Sequence, residues 1–160
     1  MTDLTIGMKA PDFCLPDIDE HMVCLEELRG VFSVIYFYPK DNSSGCTLEA
    51  RSFSDAMEEF ARDNTPVFGI SPDSIESHRR FAGKQQLTVT LLSDPEHLVI
   101  EAYGAWEQKK ISGREDMGVE RCTFIIDPDG NIAHIWRKVK VKGHVEEVLQ
   151  RLEELRAEGR

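Results

Sequence analysis

A chain of 160 residues, of which 41% are hydrophobic and 30% charged, has the size and composition of one globular domain. Its net charge of −10 argues against a nucleic acid or an anionic membrane as a partner, because both attract basic proteins. Residues 1–4 lack the basic start and apolar core of a signal peptide, and no apolar stretch approaches the roughly 20 residues that span a bilayer. We therefore expect a cytoplasmic protein.

The first hundred residues alternate between strand-like and helix-like patterns. In chain order, the predicted elements are a hairpin (13–15 and 22–25), a buried central strand (31–38), an amphipathic helix (46–62), a strand (66–70), a helix capped by Asp73 or Ser74 and ending near 85, a strand (90–92) and a short helix (97–103). Strands that alternate with helices predict an α/β fold in which helices cover a sheet.

The remaining residues begin with a polar stretch, 107–120, that has no clear period. A strand over 122–126, a turn over 127–130 and an antiparallel strand over 132–139 follow, and apolar residues at helical spacing predict a last helix over 145–155. The whole pattern predicts a mixed central β-sheet flanked by helices, which is compatible with a thioredoxin-like architecture.

Cys46 is the first candidate for chemistry, because it stands where the helix after the central strand is predicted to begin. A helix N-terminus carries partial positive charge and unpaired N–H groups, which favour a thiolate over a thiol. The main-chain N–H groups of Gly45 and Cys46 can stabilise negative charge on a departing oxygen. The Ser43 hydroxyl can orient a substrate, and Pro39 can line the pocket without offering an N–H group.

The segment around Cys46 carries a family resemblance. The pattern Pro39-x-x-x-Ser43-x-x-Cys46 resembles the peroxiredoxin active-site signature, and the longer run over 37–50 resembles the branch of bacterioferritin comigratory proteins, also called PrxQ. Residues 10–17 are similar to the N-terminal hairpin of that family, and residues 121–127 to its arginine-bearing strand. The resemblance implies that residues 1–160 form one thioredoxin-like peroxiredoxin domain of the AhpC/TSA type, with a mixed β-sheet and an N-terminal β-hairpin.

The resemblance also implies an activity and a set of site residues. Cys46 would be the peroxidatic nucleophile of a thiol-dependent peroxidase, with Ser43, Pro39 and Arg121 as catalytic residues. The Arg121 charge would favour the thiolate and hold the peroxide oxygens. Gly45 and Glu49 would belong to the substrate-binding site. Glu49, one helical turn after Cys46, could accept a hydrogen bond from Arg121.

Several alternatives stay open at this point. Taken singly, each residue has a structural explanation, such as a buried cysteine, a helix-capping serine or a surface arginine. A tyrosine-phosphatase site needs five residues between cysteine and arginine, but only four separate Cys46 from Arg51, and a dithiol motif needs a cysteine where Glu49 stands. The other function considered is a redox-sensing or chaperone-like binding protein whose cysteine is oxidised slowly.

A partner for Cys46 is missing from the two positions at which relatives carry a resolving cysteine, because Arg51 fills one and residues 80–84 contain no cysteine. Cys122 should face away from Cys46 if its neighbour Arg121 faces it. Cys14 and Cys24 would be cross-strand neighbours close enough to oxidise, although we favour their being ordinary small buried residues. Whether any of the three is a resolving cysteine stays open.

We therefore expect a one-cysteine cycle in which a hydroperoxide oxidises Cys46 and an external thiol reduces it. The thiol could be thioredoxin, glutaredoxin or a small thiol, and the protein a monomer or a homodimer. The sequence has no C-x-x-C pair and no histidines at i, i+4 spacing, so we expect no metal and no cofactor.

Overall fold

The computed structural model describes residues 3–111 and 113–158. It contains a two-stranded N-terminal hairpin, a five-stranded mixed sheet and a second two-stranded hairpin. The strands are β1 (Cys14–Pro16), β2 (Met22–Cys24), β3 (Ser33–Phe37), β4 (Val67–Ser71), β5 (Thr90–Ser93), β6 (Trp106–Ile111), β7 (Arg114–Val119), β8 (Cys122–Ile126) and β9 (Ile132–Trp136).

The strand order in the central sheet is β5-β4-β3-β8-β9. Strands β3, β4 and β5 run parallel, whereas β8 lies antiparallel to β3 and to β9. The α/β class and the mixed sheet flanked by helices are therefore confirmed. The central position of β3 agrees with its sequence, since all five of its residues are buried.

The helices connect these strands. They are α1 (Ser44–Asp55), α2 (Met57–Arg62), α3 (Ile75–Gln85), α4 (Leu98–Ala102) and α5 (His144–Ala157), with one 3-10 turn over Leu25–Leu28. The predicted helix over 46–62 starts two residues earlier and is interrupted at Ala56, whose backbone leaves the helical range. Within residues 3–111 and 113–158, none of the helices is both long enough and apolar enough to cross a membrane.

Two apolar clusters lie on opposite faces of the sheet, because successive side chains of β3 point in opposite directions. Val34 and Tyr36 belong to the cluster that includes Cys46 and the apolar residues of α1, α3 and α5. Ile35 and Phe37 belong to the other cluster, which holds the N-terminal hairpin and α4. Cys46 and the N-terminal hairpin are consequently separated by the sheet.

The polar stretch 107–120 forms most of the β6–β7 hairpin, which the sequence did not predict. Most of the β7 side chains are exposed. The hairpin therefore lacks the alternation of apolar and polar residues by which a half-buried strand is recognised in a sequence. Gly113 has a positive φ of 80°, and a glycine at such a position between two extended segments was the available signal for a turn.

Candidate active site

Cys46 is the third residue of α1 and is only 1% exposed. Ser43 caps this helix, since its side-chain oxygen accepts a hydrogen bond from the Cys46 N–H at 3.4 Å. The Ser43 hydroxyl in turn donates to the Lys40 carbonyl at 3.2 Å. The Cys46 sulfur therefore lies in the first turn of a 12-residue helix, near the positive end of the helix dipole.

Strand pairing brings Arg121 to this helix from 75 positions away in the sequence. Strand β8 pairs with β3 so that Cys122 lies opposite Phe37, next to the loop that leads into α1. Arg121, directly before β8, donates from Nη2 to the Cys46 Sγ at 3.3 Å. The guanidinium thus places a permanent positive charge against the sulfur, in the arrangement that the family resemblance implied.

Glu49 holds the other end of the guanidinium. Its Oε1 accepts a hydrogen bond from Arg121 Nη1 at 2.5 Å, and the carboxyl is completely buried. Gly45 leaves room for this arrangement, because a Cβ there would lie 3.3 Å from Arg121 Nη2. Glu49 therefore fixes the guanidinium so that its second nitrogen faces Cys46.

Burial and charge act in opposite directions on this ion pair. Burial raises the pKa of Glu49 to about 7, although the Arg121 charge and hydrogen bond lower it. Burial alone would lower the pKa of Arg121, but Glu49 and Cys46 raise it by more, so the arginine stays cationic. The second carboxyl oxygen, Glu49 Oε2, is buried and has no hydrogen-bond partner among the described residues. An ionised Glu49 is therefore costly, whereas the arginine charge is secure.

The other predicted residues lie around this centre. Pro39 is half-buried and follows β3 closely, so it lies in the loop that leads to α1. Arg51 is exposed on α1, as expected for a solvated surface arginine. The structure thus groups Ser43, Gly45 and Cys46 with Glu49, one helical turn along α1. It also brings Arg121, which is distant along the chain, into the same group.

A buried polar network that the sequence did not predict supports the loop before Ser43. Asp41 accepts hydrogen bonds from the Tyr38 hydroxyl at 2.7 Å and from the Ser77 hydroxyl at 2.7 Å, and its Oδ2 lies 2.8 Å from Nδ1 of His78. Nε2 of His78 lies 3.0 Å from the Leu92 carbonyl. Both ring nitrogens of His78 therefore lie within hydrogen-bond distance of a buried oxygen.

This network ties the active-site loop to helix α3. Burial would raise the pKa of Asp41, but the bonds from His78, Ser77 and Tyr38 outweigh it, and the pKa is lowered. Asp41, Asp73 and His78 also present ligand atoms within 4.8 Å of one another. The two aspartates stand 32 positions apart, so spacing along the sequence gave no sign of this group.

The remaining cysteines lie elsewhere in the fold. Cys122 is buried on the other face of the sheet, where its Sγ lies 3.9 Å from Arg137 Nη1, and burial raises its pKa. Cys14 and Cys24 form a disulfide between β1 and β2. Our preferred view of these two as small buried residues was wrong, since Cys14 is exposed and Cys24 half-buried. Their register directly across the short hairpin brings the two sulfurs together.

Comparison with known proteins gives the family. The model of the AhpC/TSA family matches residues 6–135. Peroxiredoxin Bcp of Bacillus subtilis (strain 168) is 47% identical over 152 residues, which are 95% of this chain and 97% of that protein. The chain belongs to the AhpC/TSA family. Peroxiredoxin Bcp of Escherichia coli (strain K12) is 41% identical over 154 residues, 96% of this chain and 99% of the relative.

Solved structures place this AhpC/TSA protein on the same branch. PrxQ of Xylella fastidiosa superposes with a TM-score of 0.90 at 34% identity, covering 96% of this chain and 98% of that one. The bacterioferritin comigratory protein of Xanthomonas campestris gives a TM-score of 0.87 at 34% identity, over 94% and 98% of the two chains. The predicted thioredoxin-like fold and the resemblance to PrxQ are thus confirmed. The chain is a peroxiredoxin, and hence a thiol-dependent peroxidase.

Proposed function

We propose that the chain reduces hydrogen peroxide and organic hydroperoxides through a sulfenic acid on Cys46, and that an external thiol reduces this sulfenic acid in a one-cysteine cycle. The observation that carries the proposal is the 3.3 Å hydrogen bond from Arg121 to the Cys46 sulfur. A free cysteine that only filled the core would not need a buried guanidinium held against its Sγ.

The first half-reaction is a displacement on oxygen. The Cys46 thiolate attacks one oxygen of the hydroperoxide, the O–O bond breaks, and the other oxygen leaves as hydroxide or alkoxide and takes up a proton. The products are a sulfenic acid and water or an alcohol.

Three groups stabilise the charge that moves during this step. Arg121 faces the sulfur, and its Nη2 can follow the negative charge as it passes to the oxygens. The Gly45 N–H is one of the first four in α1, which have no acceptor within the helix. Ser43 can donate to the peroxide only if its hydroxyl turns away from the Lys40 carbonyl. Pro39 contributes a side of the pocket that offers no competing N–H.

The second half-reaction needs a thiol from outside this site. Of the four cysteines, all of which lie in the described residues, Cys122 and the Cys14–Cys24 pair are on the far face of the sheet from Cys46. An external thiol therefore attacks the sulfenic sulfur and releases water, and a second thiol then attacks the mixed disulfide and frees Cys46. Because Cys46 is only 1% exposed, the start of α1 must open to admit the reductant.

The substrate range and partners are part of the same proposal. The similar bacterioferritin comigratory protein of Xanthomonas campestris has alkyl peroxide reduction activity, which supports organic hydroperoxides as substrates here. The reductant is thioredoxin, glutaredoxin or a small thiol, acting on a monomer or homodimer in the cytoplasm. We treat residues 1–160 as one catalytic domain, supported by the family match over 6–135.

A rate measurement tests the activity. The reduced protein should consume hydrogen peroxide far faster than free cysteine, and Cys46→Ser should abolish this rate while Cys122→Ala retains it. A rate no higher than that of free cysteine would favour the slowly oxidised redox sensor instead.

Intact mass after one equivalent of peroxide tests the one-cysteine cycle. The double variant Cys14→Ser/Cys24→Ser should gain one oxygen, because only Cys46 can react. If it loses two hydrogens instead, Cys46 and Cys122 have formed a disulfide and the one-cysteine cycle is wrong. The chain with all four cysteines, reduced beforehand, should also gain one oxygen at Cys46 in a peptide map.

A further inference from the structure

The Cys14–Cys24 disulfide lies at the surface of the N-terminal hairpin. The two residues pair directly across strands of three residues each, at a sequence separation of 10. Cys14 is exposed, Cys24 is half-buried, and both line a surface pocket, so a small thiol can approach the disulfide from solvent. Exposed disulfides are in general the labile or functional ones, whereas stable structural disulfides are shielded.

The hairpin keeps its shape through contacts other than this bond. Two backbone hydrogen bonds hold its strands together. The Leu25 N–H donates to the Phe13 carbonyl at 3.0 Å, and the Asp17 N–H donates to the His21 carbonyl at 2.9 Å. Phe13 and Leu25, together with Leu15, are buried in the apolar cluster beneath the sheet. Opening the disulfide therefore need not unfold the hairpin.

The turn of the hairpin has its own anchor. Arg79 of α3 donates to the Ile18 carbonyl from Nε at 3.0 Å and from Nη2 at 2.5 Å. With the turn fixed to α3 and the strand ends fixed to the sheet, two reduced cysteines would stay opposite each other. The same pair can then close again, which a reversible redox site requires.

An acidic surface pocket of about 530 Å³ opens beside the two sulfurs. It is lined by Asp12, Phe13, Cys14, Cys24, Glu26 and Glu27. One of its acidic residues, Glu27, accepts a hydrogen bond from the Cys24 N–H at 3.0 Å, and Lys9 lies 4.0 Å from another, Asp12. A thiol that approaches the disulfide through this pocket meets an excess of negative charge.

We propose that Cys14–Cys24 is a second redox site, which exchanges electrons with neutral or cationic thiols in the folded protein. An incoming thiolate attacks Cys14 Sγ, the bond between the sulfurs breaks, and Cys24 leaves as a thiolate and takes up a proton. A second thiolate attacks the external sulfur of the mixed disulfide and releases Cys14, which takes up the second proton. Two external thiols are oxidised to one disulfide while one protein disulfide becomes two thiols.

This site works separately from Cys46. Phe13 and Leu25 beside the disulfide pack with Phe37 on one face of the sheet, whereas Cys46 packs with Tyr36 on the other. The hairpin and Cys46 therefore pack into different apolar clusters. Exchange at the hairpin is therefore expected to survive the loss of the peroxidatic cysteine.

The test compares two small thiols of similar size and opposite charge, cysteamine and 3-mercaptopropionate. Oxidised native protein is treated with each, trapped with N-ethylmaleimide and mapped for labelled Cys14 and Cys24. We expect both cysteines to be labelled without denaturant. At low ionic strength the exchange rate per thiolate should be about three- to tenfold higher with cysteamine than with 3-mercaptopropionate. High salt should reduce this difference in rate.

Matched variants locate the charge effect. Glu26→Gln, in the pocket, should reduce the preference for cysteamine, whereas Glu146→Gln, an exposed acidic residue on α5, should not. Labelling that appears only after urea unfolds the chain, equal rates for the two thiols, or failure of the pair to oxidise would each overturn the proposal. Cys46→Ser should lose peroxide reduction and keep the exchange, so failure of the proposed peroxidase function would be seen separately.

Discussion

The two sulfur sites of this chain differ in almost every physical respect. Cys46 is buried at the start of a helix, with a guanidinium 3.3 Å from its sulfur. The Cys14–Cys24 bond is at the surface of a short hairpin and borders an acidic pocket. The first environment places a positive charge beside a buried sulfur, whereas the second leaves an oxidised pair open to incoming thiols.

The comparison shows that the surroundings of a cysteine decide its chemistry. Positive charge from Arg121 and the N–H groups of the helix start surround Cys46, which we propose is the nucleophile. Cys122 has a guanidinium nearby as well, but burial raises its pKa, and the closest Arg137 nitrogen is 3.9 Å away. A hydrogen bond from an arginine is therefore not sufficient by itself, because at Cys122 the effect of burial outweighs it.

Helix α3 contacts both regions through consecutive residues, which allows them to be separated by mutation. His78 lies against Asp41 of the active-site loop, and Arg79 donates to the Ile18 carbonyl of the hairpin. Asp41→Asn should lower the free energy of unfolding by about 3–5 kcal/mol, because it removes one partner of a buried pair. Arg79→Gln should cost only about 1 kcal/mol, since its hydrogen bonds are exposed.

Urea denaturation measures the two costs, and hydrogen exchange shows where each one acts. Amides of residues 41–46 should lose protection in Asp41→Asn, and amides of residues 17–21 in Arg79→Gln. Equal loss in both segments for both variants would show that α3 couples the two regions instead of serving each one separately.

The parts of this fold that the sequence predicted are those with a strong local pattern. The apolar run at β3 and the symmetric placement of Cys14 and Cys24 about Asp19 indicated the central strand and the register of the hairpin. The polar β6–β7 ribbon was missed because it buries little and so shows no periodicity. Helix α1 was predicted, but the break at Ala56 has no signature in the apolar spacing.

The residues of the candidate site also differ in how far the sequence predicted them. Cys46 and its helix start could be identified locally, whereas Arg121 was identified only through the family resemblance, since nothing in the spacing connects residues 75 positions apart. The contact of Asp41 with His78 spans 37 positions between a loop and a helix, and each residue alone looks like a solvated surface group. Tertiary contacts between isolated polar residues leave no local pattern to read.

Removing the charge beside the Cys46 sulfur should have the next largest effect. Arg121→Gln should lower the rate of peroxide reduction about 10²- to 10³-fold, or about 3–4 kcal/mol, because a hydrogen-bond donor to the developing charge is lost. Arg137→Gln is the matched control, since Arg137 faces Cys122 on the opposite side of the sheet. Stopped-flow rates at saturating reductant measure both variants, and comparable losses in the two would contradict the assignment of Arg121.

The last prediction concerns the carboxyl behind Arg121 and depends on pH. The pKa of Glu49 is about 7 in the folded protein, above its ordinary value of 4.5, because burial disfavours the ionised form. Between pH 4.5 and about pH 7, Glu49 holds a proton in the folded state that it has released in the unfolded state. The contribution of Glu49 to stability is therefore fully present below pH 4.5 and is lost as the pH rises through about 7.

Denaturation of the native chain and of Glu49→Gln over this pH range measures that contribution, because the other titrating groups cancel in the difference. The stability of the native chain relative to the variant should fall by about 3 kcal/mol, the free energy of the shift from 4.5 to about 7. A difference that rises with pH would mean that the ion pair with Arg121 outweighs burial, and Glu49 would then be a stable anion behind the guanidinium. A fall would mean that the proton on Glu49 frees the Arg121 charge for Cys46. The hairpin disulfide does not contact this pair, so it should exchange thiols equally fast, per thiolate, in the native chain and in Glu49→Gln.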